Sequence, residues 1–359
     1  MPTTSASTGS AWPSPWRREA CREPSREASR PLRRVGRGLM ATIGVAEGPI
    51  AITGAWGRLG SALGALLGSL GRTSVAWGRQ DFELDRPETA AAAVARDRPR
   101  LIIHCAAWTD VDGCARDPEL ALRRNGVATG VLAEACAQAG SGLVVVSTNE
   151  VFDGRRTDGL GYGEGDPVGP LNAYGSSKLA GEQAAAEAWA AHGRADGLWI
   201  ARTAWLFGPP GADFPSKIVA AADRLPAGEP LPVVADEVGS PTFAPDLAAA
   251  IVSLVGASLG GTYHLVNAGA ASRIDWARAV LARLRPDRPT RPIGAAEFVR
   301  ASNPPAWGVL DGSKAARLGV VLRPWEEALD AALTAAAGSA PNGASLAAAA
   351  EAPDRTGPS

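Results

Sequence analysis

Pro49-Ile50-Ala51-Ile52-Thr53-Gly54-Ala55-Trp56-Gly57-Arg58-Leu59-Gly60 is the stretch on which the reading of this chain turns. An apolar run of strand length passes directly into spaced glycines. These open a helix marked by Leu63, Leu66, Leu67 and Leu70. Glycine allows a tight turn and a close approach of backbone to a diphosphate. The helix that follows offers free N–H groups and the positive end of its dipole. The spacing is GxxGxxG, so the pattern gains its weight from the strand–loop–helix context. Gly54, Gly57, Arg58, Leu59 and Gly60 are therefore candidate dinucleotide-binding residues.

Working outward, Thr73–Trp77 reads as a second strand that ends in Gly78-Arg79. An acidic residue there would suit the ribose hydroxyls of NAD, whereas an arginine can meet a 2′-phosphate. Arg79 therefore tilts the cofactor towards NADPH, with NADH as the alternative; a plain surface arginine is the other reading of Arg79. Asp85 precedes a helix opened by Pro87. Leu101–Cys105 is a continuous apolar strand of the kind buried in parallel sheets, and it runs into the small residues Ala106-Ala107. His104 within it reads as a packed histidine. A helix over roughly 118–139 leads to the strand Leu143–Thr148, and Leu198–Thr203 is a further strand. The alternation predicts a doubly wound parallel, Rossmann-type α/β sheet, with ligands beyond the carboxyl ends of its strands. Beyond residue 204 prolines multiply and elements shorten, which predicts a smaller C-terminal α/β substrate lobe. The expected boundaries are 1–48 (disordered Arg/Ser-rich extension), 49–204 (Rossmann domain), 205–337 (mainly substrate lobe) and 338–359 (disordered tail).

The second signal is Asn172-Ala173-Tyr174-Gly175-Ser176-Ser177-Lys178, with Gly181-Glu182 after it. A Tyr and a Lys four apart on a helix share one face. A neighbouring ammonium favours the phenolate and should draw the Tyr174 pKa down towards neutrality. Such a phenol can pass a proton to or from a carbonyl oxygen. Thr148, at the tip of its strand, can join Tyr174 and Lys178 at the nicotinamide end of a bound dinucleotide. Trp205, just after the last strand, either stacks on a substrate ring or simply packs.

Composition bounds the rest. The chain has 359 residues, 46% hydrophobic and 20% charged, with a formal net charge of −1, so it lacks the overall basic footprint of a nucleic-acid binder. No apolar run approaches a membrane span. The four cysteines, Cys21, Cys105, Cys114 and Cys136, show no CxxC spacing, and a reduced cytoplasm is the simplest compartment. Arginine outnumbers lysine 33 to 3, which reflects coding bias. Residues 1–39 hold eight Arg and three Glu without an apolar h-region, so they are no secretory signal. A disordered extension or an upstream mis-called start is favoured there over a transit peptide or a basic arm.

Taken together, these residues resemble the extended short-chain dehydrogenase/reductase superfamily, and within it the dTDP-4-dehydrorhamnose reductases. The resemblance covers about 49–334. It rests on Gly54–Gly60, Ala106–Asp112, Ser147–Gly154, Tyr174–Lys178, Arg202–Trp205 and Asp236–Thr242, in that order. It implies Thr148, Tyr174 and Lys178 as the catalytic trio, with Thr148 orienting the carbonyl and Lys178 binding the nicotinamide ribose. It also implies cofactor contacts from Gly57, Arg58, Leu59, Asp85, Ala106, Ala107 and Trp108, and a sugar contact from Trp205. The implied activity is NADPH-dependent reduction of the C4 keto group of a nucleotide-linked 4-dehydro-6-deoxy sugar. A related 4-keto sugar nucleotide is an alternative substrate. A regulatory subunit like the β subunit of methionine adenosyltransferase is an alternative role, and a homodimer is left open. The family commonly reads Asp-Tyr where this chain has Asn149-Glu150, so the substrate contacts there, Asn149 included, can differ. Asp-Gln of the later block is Asp236-Glu237 here. Ser61-Ala62 stands where some members carry a Glu for Mg²⁺, which argues against a metal site.

Overall fold

The computed structural model describes residues 48–339. The expectations for 1–47 and 340–359 lie outside the described residues. The first half runs β1 (Ile50–Thr53), α1 (Arg58–Ser69), β2 (Ser74–Trp77), α2 (Thr89–Asp97), β3 (Leu101–His104), α3 (Val111–Arg116), α4 (Pro118–Ala121), α5 (Ala128–Ala139), β4 (Gly142–Thr148), α6 (Ala173–Ala191) and β5 (Leu198–Thr203). The second half runs β6 (Leu206–Phe207), α7 (Phe214–Arg224), β7 (Leu231–Val234), β8 (Val238–Gly239), β9 (Thr242–Phe243), α8 (Ala244–Ala257), β10 (Gly261–His264), β11 (Ala271–Ser272), α9 (Arg273–Leu284), β12 (Thr290–Ile293), β13 (Trp307–Gly308), α10 (Ser313–Ala316) and α11 (Trp325–Ser339).

Six parallel strands form the main sheet in the order β2-β1-β3-β4-β5-β10. Successive side chains point to opposite faces, and both faces are buried, which is why these strands read as unbroken apolar runs. Ile50, Ile52, Leu101, Ile103 and Val144 face a core shared with α1 and α8. Ala51, Ile102, Leu143 and Val145 face another built with α2, α5 and α6. The chain leaves β1 towards β2 on one side and reaches β3 on the other. The crevice between β1 and β3 is thus the topological switch point where such sheets bind ligands.

The sequence reading holds for the first five strands and misses β10. Gly261-Thr262-Tyr263-His264 has glycine at its start and is only half buried, so nothing local marks it as a strand. It forms because β5 offers a free edge beside it. The segment after 204 is therefore shared. Its α8 and β10 complete the main sheet, while α7, β7, α9 and α11 surround a separate core built on Phe207, Phe243, Trp276 and Leu329. The helix expected over 118–139 is interrupted, with Leu122–Val127 wound as a π-helix. Such wide turns shift side-chain register and gather at functional sites. Here the turn carries Asn125, which is buried.

Candidate active site

The glycine loop is as tight as its composition suggests. Gly54 has φ +61°, and a Cβ there would lie 2.8 Å from the Ala106 nitrogen. A Cβ on Gly60 would lie 2.3 Å from the Gly54 carbonyl oxygen. Strand end, loop and helix start are thereby pressed together. The α1 N-terminus has neither a side-chain cap nor an acidic residue in its first turn. That leaves N–H groups and dipole for an anion, so the residues present fit a dinucleotide diphosphate. The individual side chains divide differently. Leu59 is core, so only its backbone faces the crevice end of the helix. The Arg58 guanidinium donates to the carbonyls of Gly208 and, at 2.9 Å, Ala212, tying the loop to the second half of the chain. Ala106, Ala107 and Trp108 are half-buried where the chain leaves β3. The Ala106 N–H is held by Thr53 Oγ1 at 3.1 Å and the Trp108 N–H by Asn125 Oδ1 at 2.8 Å.

At the outer end of the crevice, Arg79 is exposed. Trp56, also exposed, lies against Gly78, where a Cβ would come within 3.0 Å of its ring. Asp85 is engaged in a two-point pair with Arg124, at 2.7 and 2.6 Å, and Arg124 sits over the Trp108 ring. That pair holds the Asp85 carboxyl below its ordinary pKa, and the charges of Arg123 and Arg79 act in the same direction. His104 is a packed histidine. Thr53 and Thr129 bond its two ring nitrogens, and burial pushes its pKa down to about 3.

Tyr174 and Lys178 lie in α6, whose N-terminus is capped by Asn172 Oδ1 accepting from the Gly175 N–H at 2.8 Å. The phenol faces Thr148 at the carboxyl end of β4. The structure thus brings together the three residues that the sequence singled out. Behind them lies a buried polar frame. Ser147 and Arg202 both donate to Glu182, at 2.5 Å and 2.6 Å, and Asn125 Nδ2 donates to Ser177 at 3.0 Å and to the Trp108 carbonyl at 3.0 Å. One expectation needs correction: the Tyr174 pKa is not drawn down by Lys178. Burial raises it first and the Glu150 charge second, with only the Thr148 hydrogen bond opposing. Lys178 is itself desolvated, which lowers it to about 8, while Glu182 and Cys105 pull the other way.

The opposite wall comes from distant segments. Trp205 has φ +43°, a strained backbone for a bulky residue. Its ring stacks with Trp276, and the Arg273 guanidinium lies 3.6 Å from its centroid. A substrate ring could stack on that face only if Arg273 moved. Arg273 pairs with Glu237 at 3.3 Å and Arg300 with Asp112 at 3.2 Å. Asn149 is buried and donates to the Gly308 carbonyl at 3.2 Å, so its amide braces β13. Glu150 accepts from Asn172 Nδ2 at 2.6 Å, and burial raises its pKa despite that bond and the charges of Arg273 and Arg300. Asn125, Asn172, Arg273 and Arg300 were missed by sequence reasoning. Only Asn172 carried a local signal, as the residue before a helix.

A doubly wound sheet, a glycine cradle at its switch point and a Thr/Tyr/Lys cluster beside it define an NAD(P)-binding oxidoreductase of the extended short-chain type. Comparison with known proteins narrows this. The family model described as RmlD substrate binding domain matches residues 48–337. A dTDP-4-dehydrorhamnose reductase of Mycolicibacterium smegmatis is 38% identical over 84% of this chain and 90% of its own. One from Streptomyces griseus is 36% identical over 80% of this chain and 94% of its own. The crystal structure of a dTDP-4-dehydrorhamnose reductase from Bacillus anthracis in complex with NADP superposes with a TM-score of 0.74 at 31% identity, covering 80% of this chain and 99% of that one. The chain belongs to the RmlD family, that of the dTDP-4-dehydrorhamnose reductases.

Proposed function

We propose that this chain reduces the C4 keto group of dTDP-4-dehydro-L-rhamnose with NADPH, as a step of deoxysugar synthesis. The observation that carries the reading is the meeting of Thr148, Tyr174 and Lys178 at the carboxyl edge of the sheet, beside the glycine cradle. NADPH would supply the hydride to C4. Thr148 orients the carbonyl, and Tyr174 gives its phenolic proton to the oxygen. Lys178 holds the nicotinamide ribose beside them. With its phenol kept above the ordinary value, Tyr174 enters the reaction as an acid, the form that reduction requires. Residues 49–204 bind the cofactor in this reading and the lobe within 205–337 binds the nucleotide sugar. Among the described residues no helix is long and apolar enough to cross a membrane.

A related 4-keto sugar is the second reading. Glu150 puts a carboxyl where the family commonly has an aromatic ring. A relative from Streptomyces niveus, 36% identical over 77% of this chain, is named dTDP-4-keto-6-deoxy-D-glucose reductase. NADPH oxidation against a panel of 4-keto sugar nucleotides decides between them. Turnover of dTDP-4-dehydro-L-rhamnose well above its analogues is expected. Preference for another sugar supports the second reading, and no oxidation with any of them would overturn both.

A further inference from the structure

Trp205 matches a sugar-contacting position of the family, yet in this chain something stands over its ring. The indole follows β5 directly, and Thr203 at the end of that strand is the register partner of Thr148. Trp205 therefore leaves the sheet beside the reaction centre proposed above. The Arg273 guanidinium lies 3.6 Å from the centroid of its ring. At that distance guanidinium and indole are in contact, and the ring face beneath is closed to a sugar. Arg273 is also built into its place. It opens α9 immediately after β11, and β11 pairs with β8, whose other neighbour is β13. The Gly308 carbonyl of β13 takes the amide of Asn149, the residue after Thr148. The Arg273 backbone N–H donates to the Glu237 carbonyl at 3.0 Å, and its Nε donates to Glu237 Oε2 at 3.3 Å. Glu237 is buried, and it stands where the resemblance has a glutamine. A carboxylate gives a guanidinium the charged anchor that an amide does not. Among the described residues Arg273 makes no other side-chain hydrogen bond, so both Nη groups are left to donate elsewhere. The side chain is 22% exposed and so reaches the surface of the cleft.

We propose that Arg273 is the specificity-determining residue of the sugar pocket, its Nη groups donating to oxygens of the bound sugar where an uncovered Trp205 would have offered a stacking face. The proposal rests on the reductase reading above. The two kinds of contact select differently. An indole accepts any ring of suitable shape, whereas fixed donors discriminate by where the sugar carries its oxygens. Glu237 serves this role by holding the guanidinium flat on the indole, so that its donors are aimed before substrate arrives.

Calorimetric titration of the NADPH-loaded protein with dTDP and with dTDP-L-rhamnose separates nucleotide contacts from sugar contacts without turnover. Arg273→Ala should weaken dTDP-L-rhamnose by roughly 10–100-fold, the size of a hydrogen bond to a charged group, and leave dTDP bound as in the wild type. The kcat/KM values for different 4-keto sugar nucleotides should also draw together, because the bared indole discriminates less. Arg273→Gln keeps a donor for Glu237 but loses the cation; it should show the same loss and decides the matter if the alanine variant does not fold. Unchanged or tighter binding of dTDP-L-rhamnose would overturn the proposal, the tighter case showing that Arg273 merely covers Trp205. Equal weakening of dTDP and dTDP-L-rhamnose would overturn it too, by moving the contact to the nucleotide. The reductase reading fails separately, if no 4-keto sugar nucleotide draws NADPH oxidation from the wild type.

Discussion

On the sheet side of the cleft, polar groups are matched within the Rossmann core: Ser147 and Arg202 close on Glu182, and Asn125 joins Trp108 to Ser177. On the lobe side, titratable groups from five segments face one another: Glu150, Asp112, Glu237, Arg273 and Arg300. The first wall is a rigid support whose partners are nearly all buried, so removing one leaves a bare charge in the interior. The second wall is partly open, with the Arg273 and Arg300 side chains 22% and 24% exposed, and each of these cations is paired with an acid from a distant segment. Chemistry placed on the rigid wall keeps its geometry. Selectivity placed on the charged wall can change with single substitutions.

The contrast can be broken most sharply at Tyr174. Tyr174→Phe should lower kcat about 10²–10⁴-fold, the share general acid catalysis supplies, while the NADPH dissociation constant stays near wild type. Turnover within a few-fold of wild type would remove the rigid wall from the chemistry. Next in size is the support itself. Arg202→Met leaves Glu182 buried without its cation and should cost about 3–5 kcal/mol of unfolding free energy, read by denaturant titration. A loss below 1 kcal/mol would mean the pair is no better than a surface bridge. At the outer crevice, Arg79→Ala should weaken NADPH by roughly 1.5–3 kcal/mol and leave NADH almost untouched, measured by fluorescence titration of both cofactors. Equal affinity of the wild type for both would make Arg79 ordinary surface. The smallest effect is expected at Asn149. Asn149→Ala loses the buried hydrogen bond to the Gly308 carbonyl and a long one from Thr148, together about 1–2 kcal/mol of stability, with KM for the sugar nucleotide little changed. A large rise in KM would show that Asn149 touches substrate instead of bracing β13.

The two walls also differ in how far the sequence exposes them. The Tyr174–Lys178 spacing, the glycine loop and the apolar strands are local patterns, written within a few residues of one another. Helical and strand geometry alone carries them into place. His104 was legible for the same reason, since a histidine inside a buried parallel strand has little choice but to pack. Asn125 was not, because its place beside Trp108 and Ser177 depends on a π-helical turn that no short pattern announces. Arg300 was not either: its partner Asp112 lies 188 residues away in the chain. Trp205 read equally as a stacking platform or as simple packing, and only the arrival of Arg273 from α9 shows that one face is covered.

By itself the sequence determined the parallel sheet, the glycine loop at its switch point and the shared helix face of Tyr174 and Lys178, because each follows from periodicity, backbone freedom or one-turn spacing. The tertiary structure alone decided the electrostatic state of those residues. Lys178 was expected to lower the Tyr174 pKa, yet burial and the Glu150 carboxyl raise it. Desolvation and like-charge repulsion depend on what surrounds a group in space, and neighbours brought from distant segments leave no trace in the local order of residues.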